Sequence, residues 1–558
     1  MSRFLDTLLT HGAPDSPSRS DRGMTTGEPT QPCRTTWTEV HQKARRAAGS
    51  LIGTAAPGVQ HGDAVAVLAG DPALIAPAVQ GVWLAGGSVT MLHQPTPRAD
   101  LASWAADTVR TLGMIDAKLV LLGSPFDRLA PLLDQRGIGY LMLTALDHPA
   151  VPPLAAPVPV DEDDTALLQL TSGSSAEPKA VRITHGNLYA NMTAMMQAAD
   201  LDPANDVMVS WLPLFHDMGM VGFLTIPMAL GLELVKVTPA DFISHPLLWA
   251  ELISRHRGTI TAAPNFGYAL LARRLATTDE QYDLSSLRFA LNGAEPIDPA
   301  AVRSFTAAGA RFGLPETCTV CAYGMAETTL GVSFAPWGVG MQVDTVDADA
   351  LETRRRAEPA EPSASHVRAF PRLGPPLRGI QVRVVGEDGQ LFGERDVGRI
   401  QLRGESVTRE YLTTTGPLAA QDPEGWLDTG DEGYLAEGDV VVCGRRKDVI
   451  IMGGRNIYPI DIERAAGRVD GVRPGNVVAV RLDAGARRES FAVAVESTRV
   501  GDPEAERILR KEIAARVLDA VGLRPGAVVV LPPAALPKTP SGKLRRDAVR
   551  DRIAEYLS

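Results

Sequence analysis

Cysteine is scarce. Four among 558 residues (Cys33, Cys318, Cys321 and Cys443) exclude a disulfide scaffold and fit a reducing compartment. Cys318 and Cys321 form one C-x-x-C, but no second pair answers it and the residues between them belong to a strand-like run. Strand packing is the plainer use of that pair than zinc. Basic charge is also in deficit. Lys plus Arg is 55 against 66 Asp plus Glu, a net charge of −11, opposite to the basic footprint of a general nucleic-acid binder. Long apolar runs are missing as well. The longest, 219–235, contains Pro227 and Glu233 and falls short of the about 20 residues a spanning helix needs. The opening Met-Ser-Arg-Phe-Leu lacks a basic segment ahead of an apolar one, and 13–34 is rich in Ser, Pro, Gly and Thr. The expectation is a cytoplasmic protein with no membrane span and a flexible segment over 1–34. No internal repeat is present.

What is there is ordinary globular material, 45% apolar and 22% charged, in a chain long enough for more than one domain. From Trp37 onward helical stretches alternate with short apolar runs, among them Ala64 to Ala69, Ser88 to Leu92 and Lys118 to Leu122. Continuous apolar strands separated by helices predict parallel sheet covered on both faces. After about residue 370 the texture changes. Ile380 to Val385 and Gly398 to Arg403 alternate apolar with polar residues around the turn signal Gly386-Glu-Asp-Gly389, which predicts half-exposed antiparallel strands. Between the two textures, 343–370 reads as a short helix followed by a Pro/Ala/Ser-rich surface insertion. The predicted fold is α/β with several subdomains: a large domain over 35–446 with parallel-rich sheets and a β-rich subdomain, then a small α+β domain over 447–558.

Five segments carry chemistry. Thr171-Ser-Gly-Ser-Ser-Ala-Glu-Pro-Lys179 follows an apolar strand; hydroxyls and backbone N–H groups in such a turn can cradle phosphate, and Lys179 can neutralise it. It is not a Walker loop, because Gly-Lys-Ser/Thr is missing. Tyr323-Gly-Met-Ala-Glu327 offers an aromatic face for a base and a carboxylate for a hard cation such as Mg²⁺. Asp428-Thr-Gly-Asp431 puts a carboxylate in a tight turn suited to a ribose diol. Gly444-Arg-Arg-Lys447 sits at the expected domain boundary, and Pro537 to Lys543 places a lysine on a loop near the C-terminus.

In this order and spread, the five segments resemble those of the adenylate-forming superfamily of acyl-CoA synthetases, luciferases and peptide-synthetase adenylation domains. Trp211-Leu-Pro-Leu-Phe-His-Asp-Met-Gly-Met220, Ala262-Ala-Pro-Asn-Phe266 and Asn292-Gly-Ala-Glu-Pro296 are similar to its fatty-acyl-AMP ligase branch, as is Val343 to Leu351 in the insertion. The resemblance implies ATP-dependent conversion of a fatty acid to acyl-adenylate. The acyl group then passes to the phosphopantetheine thiol of an acyl carrier protein, for lipid or siderophore-type biosynthesis. It implies that Thr171, Ser172, Gly173, Ser174, Ser175 and Lys179 hold the β- and γ-phosphates of ATP, with Mg²⁺ on Glu327. Tyr323 and Gly324 would face adenine, whose other side Gly293, Ala294 and Glu295 line. Asp431 would hold the ribose and Arg445 ribose or phosphate. His216 would orient the fatty carboxylate, Lys543 would bridge it to the α-phosphate, and the small domain would rotate about Lys447. Partners implied are the fatty acid and a phosphopantetheinylated carrier protein, with no nucleic acid.

Taken singly, each residue has a plainer use: His216 and Tyr323 in a core, Asp431 in an Asx-turn, Arg445, Lys447 and Lys543 on solvated faces. Two departures stand out. The family's phosphate loop usually carries Gly where this chain has Ala176 and Ala180, and alanine resists φ > 0; Glu177 adds negative charge near phosphate. Two other functions compete. A fatty-acid–CoA ligase would generally lack the 343–370 insertion, and a non-catalytic nucleotide- or lipid-binding protein would commonly lose Glu327 and Lys543.

Overall fold

The unbroken apolar runs of the first half form strands whose side chains are buried on both faces. A computed structural model of the chain describes residues 1–12, 21–53, 58–95, 100–171, 177–452, 454–482, 490–539 and 542–557. The chain divides into two compact units. The first comprises Met1–Met341, Pro375–Gln381 and Arg403–Leu427; the second comprises Gln342–Gly374, Val382–Leu402 and Asp428–Ser558.

The first unit contains two eight-stranded sheets. One runs in the order Gly331–Phe334, Thr319–Gly324, Phe289–Asn292, Ile260–Ala263, Val207–Ser210, Glu233–Lys236, Gly23–Thr26, Cys33–Thr36. Its strands are parallel except for the antiparallel edge strands Gly331–Phe334 and Cys33–Thr36. The other runs Gly416–Ala419, Glu410–Thr413, Lys179–Thr184, Thr165–Thr171, Ser88–Met91, Ala64–Leu68, Ala117–Leu122, Tyr140–Met142. It is parallel from Thr165–Thr171 onward and antiparallel before that. Parallel neighbours need crossover connections. The helix Pro72–Leu84 is one, started by the Asp71 side chain on the Ala73 amide and by Pro72 in the first turn.

The lead-in expected to be flexible over 1–34 is ordered where it is described. Arg3–Gly12 is a helix with Phe4, Leu5 and Leu8 fully buried, and Gly23–Thr26 is a buried strand. Phe4 meets Trp83 edge-on at 5.0 Å, and Ser2 hydrogen-bonds the His185 ring at 3.0 Å. Three large apolar side chains on one helical face outweigh the polar composition of the residues after them. Residues 219–235, the longest apolar run, are an interior element. A π-helical stretch, Met218–Thr225, leads into Ile226–Leu230 and then the strand Glu233–Lys236. No helix among the described residues is long and apolar enough to cross a membrane.

The second unit is built differently. It holds most of a four-stranded sheet (Ile380–Val385, Gly398–Gly404, Leu427–Ala436, Asp439–Arg445) and a three-stranded one (Val472–Leu482, Ser490–Ser497, Ala527–Leu531) with helices Pro459–Gly467, Pro503–Val521 and Arg546–Leu557. It begins well ahead of the expected boundary at 446/447. Ahead of Lys447 it takes in 382–402, 428–446 and the insertion. The insertion's short helix is the π-turn Ala350–Arg354 and its Pro/Ala/Ser-rich stretch 359–365 is mostly exposed, as expected, but both are carried by a hairpin, Val343–Asp347 with Val367–Pro371. Val346, Leu351, Ala357 and Phe370 bury against Tyr434, Val441 and Tyr458.

Candidate active site

Parallel sheets present ligand-binding residues beyond the carboxyl ends of their strands; Thr171 ends one such strand, Gly293 follows a second and Tyr323 lies at the end of a third. Thr165–Thr171 pairs antiparallel with Lys179–Thr184, so Thr171 and Lys179 face each other across the ladder. The loop residues Ser172, Gly173, Ser174 and Ser175, with Ala176, lie outside the described residues. Thr171 Oγ1 is buried with no hydrogen-bond partner among the described residues, a donor left for an anion. The Lys179 side chain is 30% exposed; its Nζ stands 3.8 Å from the centroid of the Tyr411 ring and 3.8 Å from Glu327 Oε1. The Tyr411 hydroxyl donates to Glu327 Oε1 at 3.0 Å. The Glu327 carbonyl accepts from the Thr408 amide at 2.7 Å, and Thr408 Oγ1 donates to the Arg182 carbonyl at 2.5 Å. Lys179 and Glu327 are thus held near one another without closing into a tight pair.

The concern over Ala180 is overturned. It lies within the strand, paired with Leu170 and Leu412, where extended backbone asks nothing of glycine. Glu177 has its own partner, the Thr414 hydroxyl at 3.3 Å.

On the neighbouring sheet, Gly293, Ala294 and Glu295 follow the strand Phe289–Asn292, and Tyr323 and Gly324 end the adjacent strand, in register through Asn292 and Cys321. Ala294 takes a left-handed φ of +68°, which costs a non-glycine residue roughly 1–2 kcal/mol. The Glu295 carboxylate accepts from the Phe266 amide at 2.7 Å, so it works on the helix Asn265–Leu275 while its backbone stays with the turn. Glycine is required at 324, where a Cβ would come within 2.2 Å of the Leu330 carbonyl. Cys318 and Cys321 are buried, and burial pushes both thiols up to about 12, which leaves them as protonated packing groups.

His216 follows the strand Val207–Ser210, with Nδ1 2.5 Å from Asp217 Oδ1. Earlier on the same segment, Trp211 stacks on Phe242 at 4.1 Å and meets Trp249 and Phe266 edge-on at 5.8 and 5.9 Å. Gly267 lets Trp211 in, since a Cβ there would stand 2.8 Å from the indole. Sequence reasoning missed four residues of this region. Tyr411 and Gln169 carry no motif. Lys236 is fully buried, donates to the carbonyls of Leu212 at 2.5 Å and Val237 at 2.9 Å, and is lowered by burial to about 7. His93 follows the parallel strand Ser88–Met91, and its place at a strand end was the signal available.

The second unit carries the rest. Asp431 and Arg445 face each other across their ladder, with Arg445 Nε 2.9 Å from Asp431 Oδ1 and Nη1 donating to the Thr429 carbonyl at 2.9 Å. Lys447 lies in the short turn Arg446–Asp448, its Nζ 2.9 Å from Asp547 Oδ2. Lys543 sits half-buried on a turn closed by the Thr539 amide on its carbonyl at 2.7 Å.

Thr171 and Lys179 thus end paired strands of one sheet, while Tyr323 ends a strand of the other and Glu327 follows it. The chain belongs to the AMP-binding enzyme family, whose profile matches residues 16–412. Enzymes of that family use ATP. Over 98% of its length it is 57% identical to the Mycobacterium tuberculosis protein Rv1013, whose name says no more than a ligase, covering 98% of that protein. It is 35% identical to a Caulobacter vibrioides protein named as an acyl-CoA synthetase, over 88% of this chain and 86% of that one. It is also 35% identical to the medium-chain-fatty-acid–[acyl-carrier-protein] ligase JamA of Moorena producens, over 71% and 69%. Among solved structures, one from a study of fatty acyl-adenylate ligases of E. coli and L. pneumophila matches with a TM-score of 0.88 at 31% identity, covering 100% of this chain and 99% of that one.

Proposed function

We propose that the chain activates a fatty acid with ATP to an acyl-adenylate and transfers the acyl group to the phosphopantetheine thiol of an acyl carrier protein. The observation that carries the reading is the grouping of Thr171, Lys179 and Glu327 at the strand ends, on a chain whose segment from Trp211 to His216 begins in an aromatic cluster. Fatty carboxylate attacking the α-phosphate brings anion toward anion, so positive groups must converge where charge develops. Lys179 and the Thr171 hydroxyl, which has no partner among the described residues, receive the outer phosphates, and His216 orients the carboxylate. Asp431 and Arg445, already locked together, present a carboxylate and a guanidinium to the ribose and phosphate.

Among the described residues no three metal-ligating side chains cluster. A single carboxylate suits Mg²⁺ nonetheless, because that ion takes one or two carboxylates with waters and substrate phosphates. Glu327 would hold it, and the ion would neutralise charge on the phosphates. Lys543 bridges carboxylate and α-phosphate, and rotation of 447–558 about Lys447 withdraws it for the second half-reaction. This is positioning chemistry that needs no general base with a strongly shifted pKa.

The name of JamA supports a carrier protein as acceptor; that of the Caulobacter relative favours coenzyme A. The insertion supports the carrier protein, since its Glu352 and Arg368 are ion-paired with Arg455 and Asp461 beyond Lys447, a restraint on the movement that CoA use requires. One experiment separates the readings. Pyrophosphate release with ATP, Mg²⁺ and a fatty-acid panel is followed by thioester formation on holo carrier protein or on CoA. Acid-dependent release with faster carrier loading is expected. Equal or faster acyl-CoA formation makes the chain a CoA ligase, and no release makes it a binder.

A further inference from the structure

Tyr411 stands between two charged side chains of the site. On the ladder, Lys179 pairs with Thr413 and Val181 with Tyr411. Lys179 and Tyr411 are therefore diagonal neighbours on one face, a spacing that aromatic and long side chains bridge. The Lys179 ammonium rests on the Tyr411 ring, 3.8 Å from its centroid. The hydroxyl of the same ring donates to Glu327 Oε1 at 3.0 Å. This strand segment also fixes the backbone of Glu327, whose carbonyl accepts from the Thr408 amide at 2.7 Å. Lysine and glutamate are left 3.8 Å apart, where a closed ion pair would come to about 2.7–2.9 Å.

We propose that Tyr411 is a positioning residue: it holds Lys179 and Glu327 short of an ion pair, which keeps the ammonium for nucleotide phosphate and the carboxylate for metal. The inference rests on the acyl-adenylate reading above. Tyr411 touches neither phosphate nor metal in this role; it acts through the two side chains it separates. A ring face and a phenol carry no net charge, so neither cancels the field that a polyphosphate or a cation meets on approach. A closed Lys179–Glu327 pair would cancel both. The two contacts also support one another, because a hydroxyl that gives its proton to a carboxylate leaves its ring richer in electrons and a better seat for a cation.

Calorimetry without turnover tests the role. The probes are α,β-methylene-ATP, which carries the outer phosphates, and AMP, which lacks them, both in EDTA so that no metal contributes. Tyr411→Phe keeps the ring and removes the hydroxyl. Glu327 should then close on Lys179, weakening the triphosphate about tenfold while AMP changes less than about twofold. A double-mutant cycle decides the cause. In an E327Q background no anion remains for Lys179 to meet, so adding Y411F should change triphosphate affinity less than about twofold. Tyr411→Leu enters the same cycle with the same expectation and decides if Y411F does not fold. Equal loss in both backgrounds, equal loss of AMP and the triphosphate, or no loss at all overturns the role of Tyr411. Triphosphate binding that appears only with Mg²⁺ gives Lys179 no phosphate to receive by itself and overturns the proposal alone. A wild-type chain that binds neither probe even with Mg²⁺ overturns the adenylate reading.

Discussion

The candidate site of the first unit and the interior of the second handle charge in opposite ways. In the first, the site pair Lys179 and Glu327 stands 3.8 Å apart beside a tyrosine, close enough to steady each other and loose enough to turn to a substrate. In the buried interior of the second, away from Asp431 and the half-exposed Arg445, charges are committed to one another. Glu352, with no exposed surface, takes Arg368 and Arg455, and Arg368 also holds Asp461 at 3.1 Å. Arg546 is divided between Glu463 and Asp448, Asp344 receives Arg395 and the Tyr434 hydroxyl, and Glu432 receives Arg355 and the Tyr458 hydroxyl. A charge already paired in a dry setting fixes geometry and has little left to offer a ligand. The cations of the second unit therefore cannot be added up as a docking surface. Arg546 in particular is a strut, while its neighbour Arg545 is exposed.

The sharpest way to break this contrast is to remove a strut. Glu352→Ala leaves two guanidiniums facing an empty buried site and should cost about 3–5 kcal/mol, read as a fall in denaturant midpoint with hydrogen exchange rising in the second unit. A loss below about 1 kcal/mol would show that the network is ornamental. Next comes Lys543→Ala, expected to slow adenylate formation by about 10²–10³ and to spare transfer from preformed acyl-AMP; equal loss in both half-reactions removes the assignment. Glu327→Gln keeps size and loses charge, so adenylation should drop about tenfold or more at limiting Mg²⁺ and recover as Mg²⁺ is raised. Indifference to Mg²⁺ would make Glu327 structural.

Acid sharpens the contrast from the other side. His41, His93 and His185 in the first unit are each lowered to about 4, chiefly by burial. Their folded values lie below the unfolded one, so the unfolded chain takes protons that the fold refuses, and stability falls as pH drops through the window from 6.5 toward 4. Each should remove roughly 1 kcal/mol between pH 6.5 and 5.5, with amide exchange quickening first around the helices that carry His41 and His185. Exchange rising first in the second unit would contradict the burial argument. The smallest effect expected is that of Arg545→Glu. Carrier-protein loading should fall about two- to threefold at low salt, converge with wild type near 0.5 M, and leave adenylation unchanged, because exposed charges are screened. A salt-independent loss would mean that Arg545 does something other than steer.

Much of the first unit was legible because its strands are continuous apolar runs bounded by turn residues. Ala64–Leu68 and Ser88–Met91 declare themselves locally, and the Thr171 to Lys179 segment does so through its hydroxyls and lysine. What stayed hidden depends on partners far along the chain. Tyr411 meets Glu327 across 84 residues and Arg455 meets Glu352 across 103, and no window of sequence holds both members. The hairpin that carries the insertion was hidden for the same reason: the Pro/Ala/Ser-rich stretch does face solvent, while the surface that buries Val346 and Phe370 comes from Tyr434 and Val441. The N-terminal helix was masked by its neighbours, since Phe4, Leu5 and Leu8 are too few to stand out beside a Ser/Pro/Gly stretch.

The pairing of Thr171 with Lys179 has an evolutionary corollary. Two residues facing each other on a ladder keep their spacing through backbone hydrogen bonds, whatever side chains lie in the loop between them. The segment is therefore an exchangeable cassette mounted on a rigid frame. Substitutions such as Ala176 or Glu177 can drift in and out under selection for turnover without displacing either mount. Grafting a glycine-richer cassette between the same two residues is accordingly a route to retuning this enzyme's nucleotide kinetics while its scaffold stays untouched.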